Sequence, residues 1–134
     1  MPGETDLEKL LQGMKPELNE GKYVFCTVDS FERAATLNPL CVFQEREAIT
    51  IIISKDQADE TALPYSVTCS WITLTVHSSL EAVGLTTAVS KTLTDANISC
   101  NVVAAYYHDH IFVPVQDAKR AMETLVKLTK QENS

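Results

Sequence analysis

Three short stretches of the chain combine residue types that could do chemistry. The first is His77-Ser78-Ser79-Leu80, followed by Glu81 and, three residues on, by Gly84. A strand hands over to a helix here. Amides in the first turn of a helix lack intrahelical partners and sit at the positive end of the dipole, so such a turn can receive an anion such as an α-carboxylate. Ser78 and Ser79 add hydroxyls, and Gly84 lets a ligand or a partner backbone approach one turn along. The same residues also read as a capping box, with Ser78 and Glu81 covering first-turn amides and Gly84 serving packing. The second stretch is Asn97-Ile98-Ser99 with Asn101. Taken alone, Asn97 is a helix C-cap in the left-handed conformation that Asn tolerates, and Asn101 is a solvent-facing strand residue. The third is Tyr106-Tyr107-His108-Asp109-His110. A His-x-His pair on a strand could turn two imidazoles toward zinc. However, His77 is the only other histidine, and Asp109 is a natural turn residue, so the stretch reads as a solvated hairpin turn at His108-Asp109 and no metal site is expected.

Nothing else in the chain suggests catalysis. There is no Gly-x-Ser-x-Gly elbow, no Gly-rich phosphate loop and no His-Glu-x-x-His, so neither a catalytic residue nor a cofactor is expected. Cys26, Cys41, Cys69 and Cys100 are widely spaced, without the close pairs of a structural zinc site. Each sits in an apolar, strand-like run, which makes it a reduced core thiol, and a strand position makes Cys100 an inert one.

Composition narrows the classes further. A length of 134 residues suits one compact domain or two very small ones sharing a core. With 45% hydrophobic and 22% charged residues the chain is globular rather than disordered. A net charge of −7 is the wrong sign for a nucleic-acid groove or an anionic membrane surface. The run Ile51-Ile52-Ile53 falls far short of the roughly 20 apolar residues that span a bilayer. The acidic start Met1-Pro2-Gly3-Glu4 has no signal-peptide pattern, and the cytoplasm is the expected location. Acidic residues concentrate before residue 64, where twelve face six basic ones. That excess is a solvated face or a receiver of a cationic ligand or basic partner.

These residues need elements to position them. Thr5-Asp6-Leu7-Glu8 is a capping box opening a helix that Gly13 and Pro16 stop. Lys22 to Val28, Leu40 to Gln44 and Ala48 to Ile53 read as strands, the last two a hairpin around Glu45-Arg46-Glu47. Between the first two lies at most a turn or two of helix around Phe31 to Leu37. Ser54-Lys55-Asp56-Gln57 caps a short helix that Pro64 must end. Val67 to His77 is a strand whose apolar alternation changes phase at Trp71, which predicts a bulge or bend. Leu85, Ala88, Val89, Thr92, Leu93 and Ala96 then line one face of a long helix. Ile98 to Tyr106 and Ile111 to Val115 alternate as strands, and a helix with Ala118, Ala121, Met122, Leu125 and Leu128 inward closes the chain. Residues 47–63 parallel 109–125, so the second half reads β-α-β-β-α and the first half is the same unit with its crossover helix nearly deleted. Antiparallel hairpins with a crossover helix form the split β-α-β, ferredoxin-like plan.

Val76 to Ser90, and its continuation Leu93 to Val113, resemble the ACT domain, a small ligand-binding regulatory module of amino-acid metabolism. Glu81-Ala82-Val83-Gly84 stands where the family has an acidic-x-x-Gly loop, with no Asp at its start. The whole chain resembles stand-alone bacterial tandem-ACT proteins and the paired ACT repeats of aspartate kinases and arginine-sensing proteins. The resemblance implies an α+β, ferredoxin-like ACT fold. It would have two tandem βαββα-type units, a degenerate one at 1–64 and a fuller one at 65–134, with antiparallel sheets covered by helices on one face. It also implies a non-enzymatic regulatory protein that binds an amino acid or similar metabolite at an ACT–ACT interface. The alternative is a protein-interaction subunit with no small ligand. The implied site is His77, Ser78, Ser79, Leu80 and Gly84 with Asn97, Ile98 and Asn101. The Asn97 segment is expected close to the strand-to-helix loop, with effectors lodged between it and the loop of a neighbouring unit. The expected partner is a second copy of the chain, as a dimer or higher oligomer, rather than nucleic acid or membrane.

Overall fold

The computed structural model describes residues 11–75 and 83–130. In chain order the elements are β1 (Lys15–Leu18), β2 (Tyr23–Val28), α1 (Phe31–Thr36), β3 (Cys41–Gln44), β4 (Ile49–Ser54), α2 (Lys55–Glu60), β5 (Thr68–Thr75), α3 (Val83–Asp95), β6 (Asn101–Ala104), β7 (Asp109–Pro114) and α4 (Ala118–Lys130). A 3-10 turn at Val115–Asp117 leads into α4. The chain divides into two compact units: a continuous unit, Glu20–Ser70, and a split unit assembled from the described residues on either side of it.

In the continuous unit the strand order is β3-β4-β2-β5. β-branched residues fill β2 and β4, and the antiparallel register sets Val24 opposite Ile53, Cys26 opposite Ile51 and Val28 opposite Ile49. All six side chains face a core closed by Ala34, Leu37 and Ala58. The covering helices are short. α1 starts at Ser30, whose Oγ accepts from the Arg33 amide at 3.1 Å, and α2 starts at Ser54, whose Oγ accepts from the Gln57 amide at 3.1 Å. α2 ends in a Schellman turn. Leu63 N–H donates to Ala58 O and Ala62 N–H to Asp59 O, with Ala62 in the left-handed region at φ 58°.

The split unit follows the same plan, with strand order β6-β7-β5-β1. Ile72 and Leu74 of β5 and Ile111 and Val113 of β7 meet Leu85, Val89 and Leu93 of α3 and Ala118, Ala121, Leu125 and Leu128 of α4. The helices cover one face of the sheet, as the ferredoxin-like plan requires. The fourth strand, β1, comes from the start of the chain and pairs antiparallel with β5, Lys15 opposite Thr75 through Leu18 opposite Ile72. The sequence gives no sign of it, because Lys-Pro-Glu-Leu lacks β-branched residues and Pro16 cannot donate to a ladder. Pro is tolerated on an edge strand, which is where β1 lies.

Two expectations change. Each unit has its own buried cluster rather than one shared core, because the strands of each pack against its own helices. In addition, β5 runs as a single uninterrupted strand. Its change of apolar phase reflects burial of both faces, with Cys69, Ser70, Ile72, Thr73 and Leu74 all buried.

Candidate functional site

Of the implied site residues, those described divide between the ends of α3. His77, Ser78, Ser79 and Leu80 lie outside the described residues. Gly84 is in the first turn of α3. At the other end Asn97 takes φ 61°, its N–H donates to Thr94 O at 2.8 Å and Ile98 N–H donates to Leu93 O at 2.9 Å. This is again a Schellman turn, with Asn97 at the left-handed position and Ile98 buried in the split unit's core. Only the backbone of Ile98 is thus left to meet a ligand. Asn101 opens β6 opposite Phe112 and is exposed. At 1.5 Å per residue, Gly84 and Asn97 are about 20 Å apart along one helix. The structure therefore brings Asn97, Ile98 and Asn101 to one end of α3 and keeps Gly84 at the other. The strand-to-helix loop itself, to which this segment is expected to lie close, falls outside the described residues.

The hairpin after β6 turns two residues earlier than its sequence predicts. Ala105 N–H donates to His108 O at 3.1 Å, which leaves Tyr106 and Tyr107 at the tip, 93% and 79% exposed. Asp109 already belongs to β7, and its carboxylate accepts from the Thr86 hydroxyl of α3 at 3.5 Å. His110 lies on the strand. Its Nδ1 accepts from the Trp71 indole N–H at 3.0 Å and lies 3.1 Å from Thr73 Oγ1. Asn19 Nδ2 in turn donates to Thr73 Oγ1 at 2.9 Å and to Trp71 O at 3.2 Å. An indole N–H can only donate, so Nδ1 is the bare nitrogen and the neutral ring carries its proton on Nε2. Burial, and then the neighbouring His108, hold the His110 pKa below its ordinary value, while Asp109 pulls the other way. His108 Nδ1 is buried and has no hydrogen-bond partner among the described residues. Among the described residues no group of three His, Cys, Asp or Glu side chains could hold a metal ion. All four cysteines are free, and burial raises the thiol pKa values of Cys26, Cys69 and Cys100, the state of an unreactive thiol.

The continuous unit carries a feature that its sequence registers only as excess acid. An open cleft of about 540 Å³ lies between the end of β2, α1 and the β3–β4 hairpin, bordered by Asp29, Arg33, Glu45, Arg46 and Glu47. The Thr50 hydroxyl donates to the Glu45 carboxylate. The alternation Glu45-Arg46-Glu47 in a hairpin turn was the available signal, but the contribution of Arg33 from another element was not.

Two family models, both described as ACT domain, match residues 2–70 and 66–127, and neither describes a catalytic family. The matches overlap at residues 66–70, the approach to β5 and its opening. No curated protein matches the chain significantly. Among solved structures, the chain is similar to a Vibrio cholerae protein of unknown function named a possible transport protein. The two are 44% identical over 95% of this chain and 98% of that one, with a TM-score of 0.88. It shares its fold with an aspartate kinase from Clostridium acetobutylicum, at 6% identity and a TM-score of 0.68 over 87% of this chain and 34% of that one. It shares it also with the regulatory subunit of aspartate kinase from Thermus thermophilus, at 8% identity and a TM-score of 0.63 over 85% and 97%. No helix among the described residues is long and apolar enough to cross a membrane.

Proposed function

The chain belongs to the ACT domain family, and from that premise we propose that it is a small, non-enzymatic regulatory or sensory protein of the cytoplasm that binds an amino acid or similar metabolite. The observation that carries this reading is the repetition of one ACT plan in both units, shared along most of the chain with the regulatory subunit of aspartate kinase. The proposed site joins Ser78 to Leu80, whose amides take the carboxylate, to the Asn97–Asn101 segment, which takes the ammonium. Gly84 and Asn97 stand at opposite ends of α3, about 20 Å apart, which supports an interface between ACT units of two associated copies. Ligand binding is then linked to association: a metabolite that bridges two copies favours the dimer.

The second reading, a subunit that binds only protein, draws on exposed apolar residues. Phe43 on the edge strand β3 is 66% exposed, and Tyr106 and Tyr107 stand out from the hairpin tip. A thermal-shift screen over the twenty amino acids, nucleotides and divalent metals separates the two. A ligand that binds only the folded state adds about 2.7 kcal/mol at a hundred times its dissociation constant, so a true effector raises the midpoint by several degrees. A screen in which no amino acid or related metabolite moves the midpoint favours the protein-binding reading.

A further inference from the structure

We infer that the cleft between α1 and the β3–β4 hairpin of the continuous unit is a binding site for a small zwitterion carrying both a carboxylate and an ammonium group. It shares with the function proposed above only the class of ligand, since every residue of the cleft belongs to Glu20–Ser70.

The cleft's volume, about 540 Å³, lies within the range of about 300–1,000 Å³ typical of small-molecule sites. Its lining is unusual in charge. Two guanidinium groups, Arg33 and Arg46, and three carboxylates, Asp29, Glu45 and Glu47, border one hollow. Opposite charges this close in sequence and space would ordinarily pair. The chain's ion pairs among the described residues are Lys15–Glu17, Lys55–Asp59, Lys91–Asp95 and Asp117–Arg120, and none involves the cleft. Among the described residues, only Glu45 of these groups has a side-chain partner, the Thr50 hydroxyl. The groups come from three places: Asp29 follows β2, Arg33 stands on α1, and the others sit in the turn from β3 to β4. Both signs thus border the cleft without closing into an ion pair of 4 Å or less among the described residues. A cleft presenting separated charges of both signs complements a ligand that is itself a separated pair. A simple anion would meet three carboxylates and a simple cation two guanidiniums, whereas a zwitterion pairs with both. Arg supplies the geometry for the carboxylate end, because its planar fork matches a carboxylate with two parallel hydrogen bonds.

The test uses the full chain and titration calorimetry with each of the twenty amino acids. For any that binds, its N-acetyl and carboxamide derivatives, which lack one charge each, are titrated too. The variants are Arg33→Gln/Arg46→Gln and Ser79→Asp. The arginines are exposed and outside both cores, so the double variant is expected to melt as wild type does. The expected result is at least one amino acid whose affinity falls tenfold or more in Arg33→Gln/Arg46→Gln, is unchanged in Ser79→Asp, and falls tenfold or more when either ligand charge is blocked. The cleft assignment is overturned if the double variant binds every amino acid as wild type does, if a blocked derivative binds equally well, or if no amino acid gives a binding heat. Loss confined to Ser79→Asp overturns the cleft while supporting the site proposed above, and loss confined to the arginine variant does the reverse.

Discussion

The two units share one strand order and differ in what covers their sheets. In the split unit α3 and α4 each run thirteen residues and lay seven side chains, from Leu85 to Leu128, against the sheet. In the continuous unit α1 and α2 each run six residues and bury one alanine apiece, Ala34 and Ala58. The sheet side chains are of similar size in both. A β-α-β-β-α plan therefore survives the near loss of its crossover helix because the β2–β4 ladder and its Val and Ile side chains hold the register alone. The thinner cover leaves less apolar area removed from water, so the continuous unit should be the weaker one.

Core truncation is the strongest way to break this comparison. Ile51→Ala, at a site with no exposure, should cost about 2–5 kcal/mol and remove most of the continuous unit's stability, so that amides of β2 and β4 lose slow hydrogen exchange. Leu125→Ala, equally buried in α4, should cost a similar amount yet leave the split unit's amides measurably protected. Equal protection of β2 and β4 in Ile51→Ala and wild type would refute the ranking.

The helix ends sharpen it at lower energy. Both α2 and α3 end in Schellman turns, one with Ala62 and the other with Asn97 at the left-handed position. An alanine there costs about 1 kcal/mol against glycine, whereas Asn is nearly at home. Ala62→Gly should thus stabilise by about 1 kcal/mol and Asn97→Gly by only a few tenths, read from denaturant midpoints. Equal gains would mean that the two turns carry the same strain.

How much of this was legible follows from the same residues. The alternation of Val24, Cys26 and Val28, the helical spacing from Leu85 to Leu93 and the left-handed Asn97 are local signals, and each leads to the element formed. β1 is illegible because Pro16 argues against a strand and only pairing with β5, more than fifty residues away, makes one. The turn at Tyr106-Tyr107 was masked by Asp109, whose turn propensity loses to its ladder position and its bond with Thr86. Counting the repeat along the sequence divides the chain near residue 64, whereas compactness groups the residues before Glu20 with those after Ser70. The Asn19–Thr73–His110–Trp71 network was invisible because it depends on which residues lie opposite across three strands. In the same way, Arg33 joins the hairpin charges only in space.

That network supplies the smallest effect. Folding lowers the His110 pKa from its ordinary 6.5, so the unfolded chain binds the proton more tightly. The stability due to neutral His110 is complete above about pH 6.5 and is lost as pH falls through that value toward the lower folded one. His110→Gln keeps an acceptor for Trp71 but does not titrate. Urea midpoints from pH 8 to pH 5 should therefore diverge, wild type falling more steeply than the variant. Parallel curves would show that His110 contributes nothing to the pH dependence of the split unit.

The central proposal is that the ACT units bind a metabolite through Ser78 to Leu80. The most direct test is calorimetric titration of wild type and Ser79→Asp with the amino acid that scores in the thermal screen. An added carboxylate at position 79 should repel the ligand's own and lower affinity tenfold or more, at about 1.4 kcal/mol per decade. It should leave the melting midpoint nearly unchanged, since the change adds no bulk to either buried core. Equal affinity in the two proteins would contradict the claim and place the ligand elsewhere.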